Sequence, residues 1–186
     1  AATNGGTHTT FEDLAIMRAI PGVEVYDPAD GVQLAWLLRE LAGRKGVHYI
    51  RTTRKQMPDI YREGSDFQTG KANVLREGRD ILLIASGLAL KPAIEAAGLL
   101  NERGLETAVV DMFTIAPLDA DTIRSQMAGK KMVVTVENHS ITNGLGAAVA
   151  EIMAEEAGGI LLRRIGIRRE FGQVGSVDYL KEYYGL

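Results

Sequence analysis

An α/β fold built on a doubly wound sheet is the architecture that this sequence predicts. Apolar runs alternate with segments of helical periodicity, which is the order of elements in sheets whose faces are covered by helices. Residues 81–85, with the sequence ILLIA, are apolar without interruption, as is typical of a strand buried on both faces. Glycines that permit tight or left-handed backbone stand at the junctions between segments, namely Gly87, Gly104, Gly129, Gly158 and Gly159.

The composition is that of an ordinary globular protein. Of 186 residues, 46% are apolar and 24% are charged, which is enough for one sizeable core or two small ones. A net charge of -3 with dispersed Lys and Arg predicts no nucleic-acid or membrane surface. The absence of cysteine excludes disulfides and thiolate metal sites. Because no targeting or membrane-spanning segment is recognisable, we expect a cytoplasmic protein.

The first predicted element is a short helix. Thr9 and Glu12 have capping-box spacing, so this helix is expected to begin just after His8. Seven of its ten side chains over residues 11–20 are apolar, which is typical of a helix covered on most sides.

The next elements continue the alternation. A strand is predicted over 23–26, a helix over 30–43 and a strand over 47–51. Asp30 is expected to cap the helix, with Gln33 at the third helical position. The order helix, strand, helix, strand is that of an α/β unit.

A polar segment divides the chain into two predicted domains. Residues 57–70 contain Pro58, Gly64 and Ser65 and are interpreted as a linker, so that the domains comprise residues 1–65 and 66–186. In the second domain, strands are predicted at 71–76, 81–85, 107–112, 132–136 and 160–165. Helices are predicted at 90–103, 119–127, 145–156 and 177–184.

The sequence contains three histidines, each of which is a candidate functional residue. His8 follows glycines and precedes a helix N-terminus, whose dipole favours a neutral imidazole that can hydrogen bond a substrate hydroxyl or carbonyl. His48 lies in a strand pattern and is interpreted as structural. His139 precedes the turn at 144–146, GLG, where backbone N–H groups suit either close helix packing or a ligand, and packing is the favoured interpretation. Their spacing predicts no metal site.

Basic residues follow the strand at 47–51. Arg51, Arg54 and Lys55 there suit binding of a phosphate or carboxylate, and a solvated basic turn explains them equally well.

Residues 6–18, with the sequence GTHTTFEDLAIMR, resemble the G-P-T-H-Q-x-x-E-D-x-A-x-x-R motif of thiamine-diphosphate-dependent transketolases. The segment DPAD at 27–30 continues this similarity. Further stretches resemble the C-terminal domain of that family, namely GKA at 70–72, EGRD at 77–80, IASG at 84–87, DMFTIAPLD at 111–119, VENHSITNGLG at 136–146 and FG at 171–172. The similarity covers essentially the whole chain and points to the C-terminal section or subunit of a split transketolase.

The resemblance implies a fold in two parts. The second half of a pyrimidine-binding α/β domain extends to about residue 65 and is followed by a transketolase C-terminal domain. That domain is expected to be a three-layer α/β/α structure with a five-stranded mixed sheet.

The resemblance also implies roles for three residues. The histidine matching His8 hydrogen bonds the carbonyl and hydroxyl end of the donor sugar and moves protons, which makes His8 the expected catalytic residue. The arginine matching Arg54 binds the sugar phosphate. Asn4 stands where many sugar transketolases carry an aspartate that reads substrate stereochemistry, and Thr9 replaces a usual glutamine, so the natural substrate stays open.

Thiamine catalysis further requires a glutamate that activates the cofactor and a diphosphate motif of G-D-G type. No Gly-Asp-Gly occurs here, and the glutamate is expected upstream of residue 1. We therefore expect a section truncated at its N-terminus, inactive alone and binding neither thiamine diphosphate nor Mg²⁺ by itself. The intact enzyme, a homodimer or heterotetramer with an N-terminal transketolase section or subunit, is expected to use both and to transfer a two-carbon ketol unit between sugar phosphates.

Two other interpretations remain open. The chain is alternatively a non-catalytic dimerisation module, or part of a deoxyxylulose-phosphate synthase or of a 2-oxo-acid dehydrogenase E1 β-type enzyme. The Thr-His-x-x-x-Glu-Asp pattern from Thr7 and the ending at 184–186, YGL, favour the split transketolase.

Overall fold

Two β-sheets organise the chain in a computed structural model, which describes residues 10–53, 57–156, 158–168, 170, 172–173 and 175–185. One sheet has three strands and the other has five. Within the described ranges, no helix is long and apolar enough to cross a membrane.

The three-stranded sheet is built around strand β1, Val23–Tyr26. Strand β2, Val47–Ile50, pairs with β1 in parallel, as the sequence predicts for both elements. A strand from much later in the chain, Thr114–Ala116, pairs antiparallel on the other side of β1. The sequence does not predict this later strand, β6 in chain order, because three residues are too few to show a period.

Helix α1, Asp13–Arg18, differs from the expectation that it begins just after His8. The carboxylate of Glu12 accepts hydrogen bonds from the Phe11 N–H group at 3.0 Å and from the Thr10 hydroxyl at 3.2 Å. These local bonds hold residues 10–12 in a turn, so the helix begins later and has only six residues. The prediction that this helix is covered on most sides is also wrong, because Ile16 is 61% exposed.

Helix α2, Gly31–Leu41, has the predicted cap. The Asp30 carboxylate accepts from the Gln33 N–H group at 2.8 Å, and the Gln33 side-chain oxygen accepts from the Ala29 N–H group at 2.8 Å. Each bond satisfies a backbone donor that has no partner within the helix. Leu37 on this helix packs against Tyr26 of β1.

The five-stranded sheet is mixed, as predicted. Its strands are β3, Asn73–Arg76; β4, Ile81–Ala85; β5, Thr107–Asp111; β7, Met132–Ser140; and β8, Leu161–Ile167. They lie in the order β3-β5-β4-β7-β8, with β3 antiparallel to β5 and all other pairs parallel. The remaining helices are α3, Leu90–Glu102; α4, Ala120–Met127; α5, Leu145–Ala154; and α6, Val177–Tyr184.

Strand β4 shows how the layers form. Leu82 and Ile84 point to one face, in the core that contains Ile123 of α4 and Val149 of α5. Leu83 and Ala85 point to the other face, in the core that contains residues of α3. Because successive side chains of a strand alternate between faces, helices on both sides bury the whole run. The predicted three-layer α/β/α arrangement is confirmed.

The segment at 57–72 has no helix or strand but is anchored to the fold. The buried carboxylate of Asp30 accepts hydrogen bonds from the Ile60 and Tyr61 N–H groups at 3.0 and 2.7 Å. The domain boundary at residue 65 lies in this segment and stays a prediction. Since β6 pairs in the first sheet, the two predicted domains share a sheet.

Candidate functional site

The residues predicted from the sequence to bind substrate, His8, Asn4 and Arg54, lie outside the described residues. The described residues that flank two of them are in direct contact. Thr10 follows His8 by two positions and Arg51 precedes Arg54 by three, and the Arg51 side chain donates a hydrogen bond to the Thr10 carbonyl at 3.0 Å. The structure therefore joins two segments that the sequence keeps about forty residues apart.

Arg51 occupies the centre of this contact. Its Nη1 donates to the Asn138 carbonyl at 2.6 Å, and its Nε lies 3.2 Å from Oδ2 of Asp13. Only 14% of the side chain is exposed. The guanidinium thus binds a carboxylate of its own chain, whereas the sequence suggested either a ligand site or a solvated turn.

Asp13 completes the cluster at the start of α1. Its Oδ2 also accepts a hydrogen bond of 2.9 Å from the Tyr49 hydroxyl, and its Oδ1 is buried without a hydrogen-bond partner. Burial and then the bond to Asp13 raise the pKa of Tyr49 to about 12. Tyr49 is therefore a neutral hydrogen-bond donor at any physiological pH.

Asp27, the first residue of the DPAD segment, is a buried acid that is 5% exposed. It follows β1, and its Oδ2 accepts from the Ser86 hydroxyl at 2.7 Å. Burial raises the pKa of Asp27 and Asp13 adds to this, while Arg51 and Ser86 oppose it. Gly87, with φ of +52°, is required beside it, since a β-carbon there would lie 2.4 Å from Oδ1 of Asp27.

His139 is a packed residue, as the favoured interpretation has it. It is fully buried, with Nδ1 2.7 Å from the Ser140 carbonyl and Nε2 3.4 Å from the Ala15 N–H group. This geometry places the proton on Nδ1 and leaves Nε2 as the acceptor.

The backbone N–H groups of the turn at 144–146 bind a carboxylate of the protein itself. The carboxylate of Glu137 accepts from the Leu145 N–H group at 2.8 Å and from the Gly146 N–H group at 2.9 Å. The backbone donors at the start of α5 are thus satisfied internally. The packing interpretation of these glycines is confirmed.

His48 is structural, as predicted. It lies in β2, its side chain is 13% exposed, and its Nδ1 is 2.7 Å from Oε2 of Glu24. Glu24 also accepts from Tyr26 and Arg44. Although desolvation by burial raises the pKa of Glu24, these partners together hold it below its ordinary value.

Family comparisons match both parts of the chain. The model of the transketolase C-terminal domain matches residues 70–186, and that of the transketolase pyrimidine binding domain matches residues 1–59. The chain belongs to the transketolase family.

Individual transketolase relatives match along the whole chain. The 6-deoxy-6-sulfo-D-fructose transketolase subunit SqwH of Clostridium sp. (strain MSTE9) is 41% identical over 186 residues, covering 100% of this chain and 58% of that protein. The putative transketolase C-terminal section of Methanocaldococcus jannaschii is 41% identical over 185 residues, covering 98% of this chain and 58% of that protein. This chain therefore spans less than two thirds of the length of these relatives.

Two further matches bear on function. A split gene transketolase, solved as an inactive beta4 tetramer, has a TM-score of 0.90 at 35% identity and covers 97% of this chain and 58% of that chain. The 1-deoxy-D-xylulose-5-phosphate synthase of Heliobacterium modesticaldum is 36% identical over 98% of this chain and 29% of that protein.

The Arg51 cluster, which comprises Arg51, Asp13 and the carbonyl groups of Thr10 and Asn138, lies where the two transketolase domain matches meet in space. Arg51 and Asp13 fall within the pyrimidine binding match, whereas Asn138 falls within the C-terminal match. One guanidinium therefore connects both transketolase domains.

Proposed function

We propose that this chain is the C-terminal section of a thiamine-diphosphate-dependent transketolase that transfers a two-carbon ketol unit between sugar phosphates. The observation that carries the proposal is the contact between Arg51 and Thr10, which joins the segment after His8 to the segment before Arg54. A site for a sugar phosphate needs a polar group at the carbonyl end and a cation at the phosphate end. His8 and Arg54 supply this pair, and Asn4 contacts the sugar hydroxyls.

Thiamine diphosphate and Mg²⁺ require donors for a diphosphate and ligands for a metal ion. Backbone N–H groups at the start of α5 donate hydrogen bonds to Glu137, and the guanidinium of Arg51 donates to acceptors within the protein. Within the described part of the chain, no group of three metal-ligating side chains forms. The start of α5 and the Arg51 guanidinium are therefore not assigned to the diphosphate of the cofactor. We assign the cofactor and Mg²⁺ to the other parts of the enzyme and infer that this chain alone binds neither.

An N-terminal transketolase section is the proposed partner, in a homodimer or a heterotetramer. Support comes from the relative called a transketolase subunit and from the neighbour called an inactive beta4 tetramer. We further propose that the enzyme is cytoplasmic and acts in pentose phosphate metabolism.

Reconstitution tests this function. The chain is mixed with the N-terminal section of a split transketolase and with a segment that supplies the activating glutamate expected upstream of residue 1. Thiamine diphosphate and Mg²⁺ are added, and two-carbon transfer from a ketose phosphate to an aldose phosphate is measured. We expect transfer by the mixture and none by the chain alone. Isothermal titration of thiamine diphosphate into the chain alone is expected to show no saturable heat. Tight binding in that titration, or turnover by the chain alone, contradicts the proposal.

Two alternatives are separated by the same mixture. An assembly module, favoured by the neighbour solved as an inactive beta4 tetramer, predicts a changed oligomeric state without transfer. A deoxyxylulose-phosphate synthase, favoured by the relative of that name, predicts condensation of pyruvate with an aldose phosphate and release of carbon dioxide.

A further inference from the structure

We propose that Arg51 is a positioning residue that fixes the segment after His8 and the segment before Arg54 in one arrangement. The inference rests on the proposed function, because those two residues are the ones assigned to the sugar phosphate. We assign Arg51 no direct contact with substrate, since each of the three nitrogens of its guanidinium already contacts a protein acceptor and only 14% of the side chain is exposed.

Two of these acceptors are backbone carbonyls from distant parts of the chain. Nη1 donates to Asn138 at 2.6 Å and Nη2 donates to Thr10 at 3.0 Å. Hydrogen bonds from a charged donor are stronger than neutral ones, and the planar fork of arginine fixes both directions at once. A shorter or neutral side chain cannot make both bonds in this geometry.

Asp13 fixes the orientation of the guanidinium. Its Oδ2 lies 3.2 Å from Nε of Arg51 and accepts from the Tyr49 hydroxyl at 2.9 Å. Tyr49 lies in β2, and Arg51 is the first residue after that strand. The carboxylate is therefore held by the same stretch of chain that carries the arginine.

The backbone of Arg51 is fixed as well. Its N–H group donates to the Tyr26 carbonyl at 2.9 Å, which extends the pairing of β2 with β1 by one bond. The backbone of Arg51 is therefore held at the end of the sheet, and its side chain connects that position to Thr10. Loss of the guanidinium is expected to displace both segments relative to each other.

Arg18 offers a matched control at the other end of α1. Its side chain is 15% exposed, and it also ties α1 to the segment after β7, with Nη1 donating to Oδ1 of Asn143 at 2.5 Å and Nη2 bound to Glu151. It contacts neither Thr10 nor Asp13 in the described bonds. Arg18→Gln therefore removes a comparable arginine and leaves the Arg51 cluster in place.

The test compares Arg51→Gln, Arg51→Lys and Arg18→Gln in the reconstituted enzyme. Values of kcat and KM are measured for a phosphorylated and an unphosphorylated aldose acceptor, together with Tm. Because a displacement of about 1 Å costs about 100-fold in rate, we expect Arg51→Gln to lower kcat/KM about 100-fold for the phosphorylated acceptor. We expect a lower kcat and a higher KM for Arg51→Gln, with a smaller loss of kcat/KM for the unphosphorylated acceptor. Arg51→Lys is expected to restore part of the lost kcat/KM, and Arg18→Gln is expected to have wild-type kinetics.

Hydrogen exchange on this chain gives a readout independent of turnover. The Phe11 to Asp13 amides are expected to exchange faster in Arg51→Gln and at the wild-type rate in Arg18→Gln. Wild-type kinetics for Arg51→Gln, or a loss that follows Tm and is equal for both acceptors, overturns the inference while the proposed function stands. If the wild-type mixture transfers nothing, the proposed function fails, and unchanged exchange in Arg51→Gln then overturns the inference separately.

Discussion

The Tyr61 hydroxyl donates a hydrogen bond of 2.6 Å to Oδ2 of the buried Asp111. The Gln33 side-chain amide donates to the same oxygen at 2.7 Å, while Oδ1 is buried without a partner. Desolvation by burial, only partly offset by these bonds, raises the pKa of Asp111 to about 6. One carboxyl group at the end of β5 thus holds the segment at 57–72 and helix α2 together.

Asp111→Asn is expected to remove a pH dependence of stability. The folded pKa is raised from 3.8 to about 6, so folding favours the protonated acid, and this contribution is lost as the pH rises through 6. Since one pKa unit corresponds to about 1.4 kcal/mol, the free energy of unfolding of the wild type falls by about 3 kcal/mol relative to the variant between about pH 3 and about pH 7. Urea unfolding at several pH values measures this.

The control for Asp111→Asn is Asp121→Asn, whose side chain is 84% exposed. It is expected to follow the wild-type pH dependence within about 0.5 kcal/mol. Parallel curves for wild type and Asp111→Asn contradict the raised pKa of Asp111.

Tyr61→Phe is expected to destabilise the protein more at pH 7 than at pH 4. The hydroxyl bonds a charged carboxylate at the higher pH, which is worth about 1.5 to 3 kcal/mol, and a neutral acid at the lower pH. Because this bond lowers the pKa of Asp111, its loss raises that pKa further. Tyr183→Phe, which removes a hydroxyl from an exposed 3.3 Å bond to Glu170, serves as the control. Equal losses at both pH values refute the prediction.

Gly144→Ala is expected to cost about 3 kcal/mol of unfolding free energy, because the structure leaves no room for a side chain there. A β-carbon would lie 2.1 Å from Oε2 of Glu137 and 2.6 Å from Nδ1 of His139. Relief requires the carboxylate to leave the Leu145 and Gly146 N–H groups.

Gly98→Ala is the opposite case in the interior of α3. Nothing lies within 4 Å of the added β-carbon. It is expected to stabilise the protein by about 0.5 to 1 kcal/mol, the usual gain of alanine over glycine in a helix. Thermal unfolding of the two variants measures both effects, and similar Tm values would show that the turn at 144–146 tolerates a side chain.

The larger sheet was predictable because its central strands are buried on both faces. Such strands give continuous apolar runs, of which Ile81–Ala85 is the plainest. Strand Thr114–Ala116 left no comparable pattern, since its pairing with Val25 depends on residues about ninety positions away. The start of α1 was misplaced because the Glu12 carboxylate accepts hydrogen bonds from residues 10 and 11, which holds them in a turn before the helix.

The site was only partly predictable for a related reason. Sequence spacing identified a basic group at 51–55 but not its partners, because Thr10 and Asn138 lie 41 and 87 positions from Arg51. Likewise, the GLG turn predicted close packing or a ligand without showing that the Glu137 carboxylate accepts from its N–H groups. Local patterns reveal which residues can bind an ion, whereas long-range pairing decides which ones remain available to a substrate.

His8→Ala is expected to lower kcat of the reconstituted transketolase by about 100-fold to 10,000-fold, the range for removing a group that transfers protons or hydrogen bonds the reacting carbonyl. Tm is expected to stay near the wild-type value. His48→Gln is the control, because His48 contacts Glu24 between β1 and β2 and has no role in the proposed reaction. That variant should keep kcat and change Tm. A wild-type kcat for His8→Ala removes His8 from catalysis, and a loss of kcat shared equally by His48→Gln attributes the effect to folding.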